Sequence, residues 1–210
     1  MIKFDSIVSG DFAVNCFFVY DDITKKSVVI DPGCSGGKVI NKIEELNLKP
    51  ELLINTHGHF DHIFSDDIIR KKFNIPLAIH CQDLNMLETA ELNCSVMTGE
   101  PITVNKPEII FDKDENKETS FCKYSVIHTP GHSKGSVCIL IDDMLFAGDT
   151  VFCGSIGRTD LFGGDYDEII SSLHKIKKLP KETKIFPGHG PFTTVKNELL
   201  YNSFFRGIEG

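Results

Sequence analysis

Short apolar runs, each ended by a turn-forming or charged residue, alternate along the chain with segments of helical periodicity. Runs rich in β-branched and aromatic side chains predict strands, at residues 12–20, 27–30, 52–54, 77–80, 124–128, 136–141, 145–147 and 184–186. Apolar residues spaced three and four apart predict helices, at residues 38–46, 61–73, from about 82, and 165–179. This alternation favours an α/β architecture with mixed sheets.

Three segments carry more specific predictions. Asp165 is suited to cap the N-terminus of the last predicted helix, and Pro180 ends that helix. The helix over residues 61–73 should turn four apolar residues toward the core, namely Ile63, Phe64, Ile68 and Ile69. Residues 113–119 are charged and polar, which indicates an exposed turn.

Composition narrows the class of protein. A chain of 210 residues, 41% hydrophobic and 25% charged, predicts one globular domain over residues 1–210. A formal net charge of −8 argues against a nucleic-acid partner, which would need a basic surface. Apolar runs such as residues 16–20 are too short to span a bilayer, and the first residues lack the apolar stretch of a secretory signal. The seven cysteines form no Cys-x-x-Cys pair, so we expect reduced, mostly buried thiols and a cytoplasmic location.

The segment Thr56-His57-Gly58-His59-Phe60-Asp61-His62 places four metal-capable side chains within six residues. Three imidazoles and a carboxylate suit zinc, and also iron or manganese. Such a concentration of polar groups must be solvated, paired or bound to metal. The alternative is a solvated turn that is rich in histidine, but matching residue types recur downstream.

Those downstream residues each follow a predicted strand and stand beside glycine. They are His132 in Thr129-Pro130-Gly131-His132, Asp149 in Phe146-Ala147-Gly148-Asp149-Thr150, and His189 in Pro187-Gly188-His189-Gly190. Loops at strand ends are where a rigid scaffold usually displays function, and glycine permits the tight turns required. Three further histidines are interpreted as structural: His80, His174 and His128, the last supporting the Pro-Gly turn before His132.

In order and spacing, these residues resemble the metallo-β-lactamase superfamily, from Asn15 and Asp31-Pro32-Gly33 to Gly188-His189-Gly190. The resemblance implies an αββα sandwich, with two mixed sheets face to face, helices outside and a two-metal site at one edge. It implies one metal at His57, His59 and His132 and a second at Asp61, His62 and His189. Asp149 and a hydroxide would each be shared by the two metals. Asp61, which draws the second metal toward the first, is also the predicted catalytic residue. Two divalent cations with only two anionic ligands remain net positive, which suits hydrolysis of an ester, thioester or lactone.

Within the superfamily, the chain most resembles the glyoxalase II group, which hydrolyses glutathione thioesters such as S-lactoylglutathione. Full-length members grip glutathione with a C-terminal helical domain, whereas only residues 191–210 follow the last ligand segment here. We therefore expect a short glyoxalase II-like hydrolase of a small thioester or ester, either linked to glutathione or not, with two divalent metals, most suitably zinc. Hydrolysis of β-lactams is not expected, because Asp149 stands where two-metal β-lactamases resemble this pattern with a cysteine.

The segment Gly157-Arg158-Thr159-Asp160 has two interpretations: Arg158 contacts an anionic substrate, or it pairs with an acid such as Asp160. The same segment resembles the persulfide dioxygenases, which use a single iron held by two histidines and an aspartate. On this chain those would be His57, His132 and Asp149. A third hypothesis is a metal-stabilised binding protein without turnover, although structural zinc sites are usually closed and rich in thiolate.

Aromatic residues raise two further alternatives. Four phenylalanines near the predicted edge either line an apolar pocket or belong to the core: Phe12, Phe152, Phe162 and Phe192. Three residues near the C-terminus either pack on the body of the protein or form an oligomer contact, which leaves the oligomeric state open: Tyr201, Phe204 and Phe205. Cys153 is interpreted as a structural thiol.

Overall fold

A computed structural model describes residues 1–206 of the chain. Its first six strands form one mixed sheet in chain order: β1 (Ile2–Ser9), β2 (Val14–Asp21), β3 (Lys26–Ile30), β4 (Lys49–Ile54), β5 (Leu77–His80) and β6 (Ile109–Phe111). The first three strands pair antiparallel, and β3 to β6 pair parallel. The residues after β4 and β5 therefore leave the sheet at the same edge.

The second sheet has the order β14-β13-β10-β9-β8-β7. Its strands are β7 (Glu115–Glu118), β8 (Lys123–His128), β9 (Val137–Ile141), β10 (Met144–Gly148), β13 (Lys184–Pro187) and β14 (Thr193–Thr194). Only the β10–β13 pair in this sheet is parallel. The remaining two strands form a small hairpin, β11 (Val151–Phe152) with β12 (Ser155–Ile156).

Helices lie on the outer faces of the sheets. They are α1 (Gly36–Glu45), α2 (Phe60–Ile63), α3 (Asp66–Phe73), α4 (Leu84–Glu88), α5 (Tyr166–Lys177), α6 (Val195–Tyr201) and α7 (Ser203–Arg206). Single 3₁₀ turns span Cys81–Asp83 and Ser95–Thr98. No helix within residues 1–206 has the length and apolar character needed to cross a membrane.

Alternate residues of the buried strands serve two different cores. In β2, Phe17 points between the sheets, where its ring lies 5.1 Å from that of Phe146 in β10 and 5.9 Å from that of Phe186 in β13. Its neighbour Phe18 points the other way, into the core under α1 and α3. Because both faces of the strand are covered, its sequence is almost continuously apolar. A third core lies under α5, α6 and α7, and these layers confirm the αββα sandwich.

Two element predictions were wrong. The helix expected over residues 61–73 is interrupted at Phe64 and Ser65, so α2 and α3 are separate helices. Ile63 and Ile69 are buried as predicted, but Ile68 is 52% exposed because the interruption breaks the helical phase. Residues 113–119 contain β7, an edge strand whose charged residues suit its exposed position.

The helix capped by Asp165 is confirmed, since the Asp165 carboxylate accepts a hydrogen bond of 2.9 Å from the backbone amide of Glu168. Near the C-terminus, Phe205 is buried in the core under α5 and Phe204 packs against it. Tyr201 is 74% exposed and does not pack on the body of the protein. Cys153 is also exposed, which argues against a structural thiol at that position.

Candidate metal centre

Loops from both sheets bring all seven predicted metal-binding residues to one edge of the sandwich. His57 and His59 follow β4, Asp61 and His62 lie in α2, and the other three follow β8, β10 and β13. Their ligand atoms form three groups, each with all atoms within 4.8 Å of one another: His57, His59 and His132; His57, His62 and Asp149; Asp61, His62 and His189.

Neighbouring groups determine which nitrogen His57 presents to the centre. The Thr56 hydroxyl donates its single hydrogen to Asp31 Oδ2 at 2.7 Å. The same hydroxyl oxygen lies 3.1 Å from His57 Nδ1, so it accepts the hydrogen of that nitrogen. His57 Nε2 is left with its lone pair, buried and without a hydrogen-bond partner among residues 1–206.

Backbone carbonyls orient two further histidines in the same way. His132 Nδ1 donates to the carbonyl oxygen of Arg158 at 2.8 Å, and His189 Nδ1 donates to that of Phe12 at 3.0 Å. A carbonyl oxygen can only accept a hydrogen bond, so in the neutral form of both rings the lone pair is on Nε2. His132 Nε2 lies 2.9 Å from His59 Nδ1, so these two nitrogens face each other across the first set.

Asp149 contacts residues of both predicted metal sets. One of its carboxylate oxygens lies 3.6 Å from His132 Nε2 and 3.5 Å from His189 Nε2, and the other lies 3.4 Å from His62 Nε2. Asp61 closes the second set, with Oδ2 at 3.3 Å from His189 Nε2. Asp149 therefore lies between the two predicted sets.

Burial and charge act differently on the pKa values of the two sets. Burial lowers the pKa of His57 well below its ordinary value and that of His59 to about 3, and neighbouring imidazoles add to both effects. Burial also lowers the pKa of His62, but the carboxylates of Asp31, Asp61 and Asp149 outweigh it and hold that pKa well above the ordinary value.

The two acids remain ionised for a related reason. Burial raises the pKa of Asp149 and Asp61, yet the nearby imidazoles of His62 and His189 outweigh that effect and lower both pKa values. The centre therefore combines two carboxylates of lowered pKa with the imidazoles of His57 and His132, in which hydrogen bonding to Nδ1 leaves Nε2 as the nitrogen that can bind a metal.

These groups fit divalent metal ions. His57 Nε2, His62 Nε2 and Asp149 Oδ1 are buried without a hydrogen-bond partner among the described residues, and the three side chains form one of the close groups. Buried polar atoms are seldom left unpaired, because an unpaired one loses its hydration without compensation. Imidazole nitrogens and carboxylate oxygens that converge in this way are the donors that zinc and iron accept.

Sequence reasoning missed the side chains that hold the ligand loops. Asp83, in the 3₁₀ turn after β5, accepts hydrogen bonds from Gly58 N at 2.9 Å, Ser133 Oγ at 2.6 Å and Gly135 N at 2.7 Å. It thereby ties the loop of His57 and His59 to that of His132. Burial raises the pKa of Asp83, and the donated hydrogen bonds offset part of that rise.

Asn15 holds the loop of His189 from the first sheet. Its Nδ2 donates to the carbonyl oxygens of Pro187 at 2.9 Å and Gly190 at 3.0 Å. Gly188 must be glycine here, since an added Cβ would collide with the Asp149 carboxylate and the His62 ring. Asn15 was part of the recognised sequence pattern, but a contact between residues 172 positions apart has no local signal.

The Arg158 side chain pairs with Asp160, through hydrogen bonds of 2.7 Å from both Nε and Nη2. This confirms the ion-pair interpretation of Arg158. The side chain also lies at the pocket over the centre, so contact with an anionic substrate stays a prediction. Its carbonyl oxygen has the clearer role, because it orients His132.

A pocket of about 500 Å³ opens onto the candidate centre. Its polar base includes His59, Asp61, His132, Asp149 and His189, and its walls include Phe12, Phe60, Cys94, Met97, Phe152, Ile156 and Leu161. Phe12 and Phe152 thus line the pocket, which is the first of the two alternatives given for these phenylalanines. Phe162 is absent from this lining, and Phe192 packs against Phe4, Phe17 and Phe186.

Comparison with known proteins finds the same combination of fold and pattern. The family model for the metallo-beta-lactamase superfamily matches residues 9–189. The chain is 35% identical over 211 residues to the "Probable metallo-hydrolase YqgX" of Bacillus subtilis (strain 168), covering 99% of each chain.

Two solved structures are similar over nearly the whole chain. The BLEG-1 B3 metallo-beta-lactamase superposes with a TM-score of 0.93 at 39% identity, covering 97% of this chain and 99% of the other. TTHA1623 in a di-iron-bound form superposes with a TM-score of 0.83 at 31% identity, covering 95% and 99% of the two chains.

Proposed function

Because the chain belongs to the metallo-beta-lactamase superfamily, we propose that it is a metal-dependent hydrolase of a thioester or related ester, similar in activity to glyoxalase II. The observation that carries this proposal is Asp149, whose carboxylate contacts residues of both candidate metal sets. A carboxylate shared in this way suits two adjacent metals, the arrangement used for hydrolysis at an acyl centre.

The proposed first metal is held by His57, His59 and His132, and the proposed second metal by Asp61, His62 and His189. When bound, two such ions act as Lewis acids and lower the pKa of water to about 7, so that a hydroxide nucleophile exists at neutral pH. The side chains of the protein would hold the metals and orient the attacking water. Asp61 is kept ionised at the base of the pocket and can accept a hydrogen bond from the attacking water.

Zinc is the proposed metal at both positions, because imidazole nitrogens and carboxylate oxygens are donors that zinc accepts. The alternative is iron, since the relative TTHA1623 is described in a di-iron-bound form. A single iron with oxygen uptake on a persulfide would instead indicate a dioxygenase that uses His57, His132 and Asp149.

Hydrolysis of β-lactams is a second candidate function. It was not expected from Asp149, but the similar structure BLEG-1 is named a B3 metallo-beta-lactamase and matches this chain over 97% of its length. A β-lactam also has an acyl carbon that a hydroxide attacks, so the same donor set suits either substrate.

We also propose one functional domain over residues 1–210, acting on a small molecule without nucleic acid or membrane, in the cytoplasm. Residues 207–210 lie outside the described part of the chain. All seven cysteines are unpaired, which supports a reducing compartment.

The test is metal quantification on protein purified without added metal, together with assays of thioesters, lactones, β-lactams and a persulfide. We expect about two metals per chain and oxygen-independent thioester hydrolysis. Hydrolysis of β-lactams alone, or oxygen uptake with one iron, would replace the proposal by the corresponding alternative. Failure to turn over any of these substrates at full metal content would favour a binding protein without catalysis.

A further inference from the structure

The pocket above the candidate metal centre has apolar walls, and we propose that it takes esters or thioesters whose groups on either side of the scissile carbonyl are apolar and uncharged. This inference rests on the proposed function, because it names the substrate class for that reaction. It does not depend on which divalent metal is bound.

The loop after β1 forms one part of the wall. Phe12 is 51% exposed, and its ring meets that of the buried Phe60 edge-on with the centroids 4.8 Å apart. Met97, in the 3₁₀ turn Ser95–Thr98, adds a flexible apolar side chain to the same pocket. Apolar surface left exposed beside a site is available for an apolar part of the ligand to cover.

The hairpin of β11 and β12 supplies another part of the wall, with Phe152 and Ile156. This hairpin is held from behind by the C-terminal helices. Glu198 Oε2 accepts a hydrogen bond of 2.9 Å from Gly154 N, and Asn202 Nδ2 donates one of 3.0 Å to the carbonyl oxygen of Ser155. A wall held in place before the substrate arrives loses little entropy on binding.

Charge around the pocket argues against an anionic partner such as glutathione, which carries two carboxylates. Among the lining residues in the described part of the chain, Arg158 is the one arginine or lysine, and Asp160 already neutralises it. The carboxylates of Asp61 and Asp149 would be held by the proposed metals, so the remaining charge on the walls is that of the Arg158–Asp160 pair, in a chain with a formal net charge of −8. Glutathione carboxylates would therefore find no free cationic side chain among these walls.

A panel of four thioesters tests the inference on the metal-loaded protein. It combines an acetyl or a hexanoyl group with N-acetylcysteamine, which is uncharged, or with glutathione. We expect kcat/KM for hexanoyl-N-acetylcysteamine to exceed that for the acetyl compound by about 10-fold or more. A preference for glutathione over N-acetylcysteamine, or for acetyl over hexanoyl, would overturn the inference while leaving thioester hydrolysis intact.

The chain offers a matched pair of variants for the wall. Phe12→Ala removes a half-exposed ring from the pocket but keeps the backbone carbonyl that orients His189. Phe162→Ala removes a ring that is equally exposed, at 50%, but does not line the pocket. We expect Phe12→Ala to reduce the hexanoyl-to-acetyl ratio of kcat/KM by about 10-fold, and Phe162→Ala to leave it unchanged. Equal hexanoyl-to-acetyl ratios in the two variants would refute the assignment of Phe12 to the substrate-selecting wall.

A binding measurement separates this inference from the proposed reaction. Hydroxamic acids chelate metals and are not hydrolysed by the proposed chemistry, so calorimetry can compare acetohydroxamate with hexanohydroxamate on the loaded protein. We expect the longer compound to bind more tightly, and Phe12→Ala to remove most of that gain. If no thioester is turned over but this pattern is seen, the reaction is wrong and the apolar pocket stands. If neither the affinity for hydroxamates nor kcat/KM for thioesters changes with the length of the acyl group, the pocket assignment is wrong.

Discussion

The two candidate metal sets differ in how the protein surrounds them. The histidines of the first set, His57, His59 and His132, are all buried. In the second set only His62 is fully buried, while Asp61 is partly exposed and the His189 side chain is 29% exposed. The first set consists of three buried imidazoles, whereas the second includes a partly exposed carboxylate and a partly exposed histidine.

The supports of the two sets differ as well. Asp83 ties together the two loops that carry the first set, from within the protein interior. The second set depends on Asn15 and on the carbonyl oxygen of Phe12, which both lie next to the half-exposed loop after β1. We infer that the first metal is bound more tightly than the second. The following predictions test this asymmetry, beginning with the largest effect.

Asp149→Asn should erase the difference between the sites, because Asp149 contacts histidines of both sets. The amide cannot supply the negative charge that two cations share, so we expect metal content to fall at both sites. Activity should fall by more than about 100-fold, since changes to groups that merely support ligands already cost 10–100-fold. Metal analysis and thioester kinetics measure both effects. Asp143→Asn, at an exposed acid paired with Lys184, is the control and should behave as the unmodified protein.

His57→Ala and His189→Ala compare the sets directly. His57 belongs both to the group with His59 and His132 and to the group with His62 and Asp149. Its loss therefore removes a donor from both groups, and we expect most of the bound metal to be lost. Loss of His189 should leave the first metal in place, because none of its three histidines is altered. Titration with a chelator measures the metal retained by each variant. Equal retention in the two variants would show that the sites do not differ in this way.

Asp83→Asn and Asn15→Ala alter the supports instead of the ligands. We expect Asp83→Asn to lower the affinity for the first metal and Asn15→Ala to lower the affinity for the second, each by about 10–100-fold. The reason is that Asp83 holds the two loops of the first set, whereas Asn15 holds the loop of His189 in the second set. Metal titration of both variants against the unmodified protein tests this, and a loss at the same site in both would contradict it.

Acid should release the second metal before the first. Metals bind the deprotonated ligand, so a ligand with a higher pKa loses its metal to protons at a higher pH. Burial lowers the pKa of His57 and His59, so these two remain available as the pH falls. Burial also lowers the pKa of His62 and His189, but nearby carboxylates outweigh it and leave both pKa values raised. Metal content measured after dialysis at decreasing pH should fall in two steps, and a single step would contradict the asymmetry.

The ligand residues could be found from sequence because they are local and chemically unusual. His57, His59, Asp61 and His62 are neighbours in the chain, and each later predicted ligand comes after a strand and directly follows a glycine. The strands could be found because buried β-residues form apolar runs. These two signals predict an α/β architecture with candidate ligands at strand ends, while the αββα sandwich and the site at one edge are what the resemblance to the superfamily implies.

The supports could not be found in the same way. Asp83 is one acid among thirty Asp and Glu residues, and its partners Gly58 and Gly135 become neighbours only after folding. The break between α2 and α3 was also missed, because Phe64 and Ser65 are both compatible with a continuous helix. Such features depend on tertiary contacts, which local periodicity does not encode.

Phe12 combines two roles that evolution can separate only in part. Its side chain lines the pocket, while its carbonyl oxygen orients His189. A point substitution at this position changes the ring and preserves the carbonyl, so substrate range can drift without disturbing the metal. An insertion or deletion in the same loop would displace both at once. We therefore expect descendants of this protein to diversify here by exchanging side chains while keeping the length of the loop.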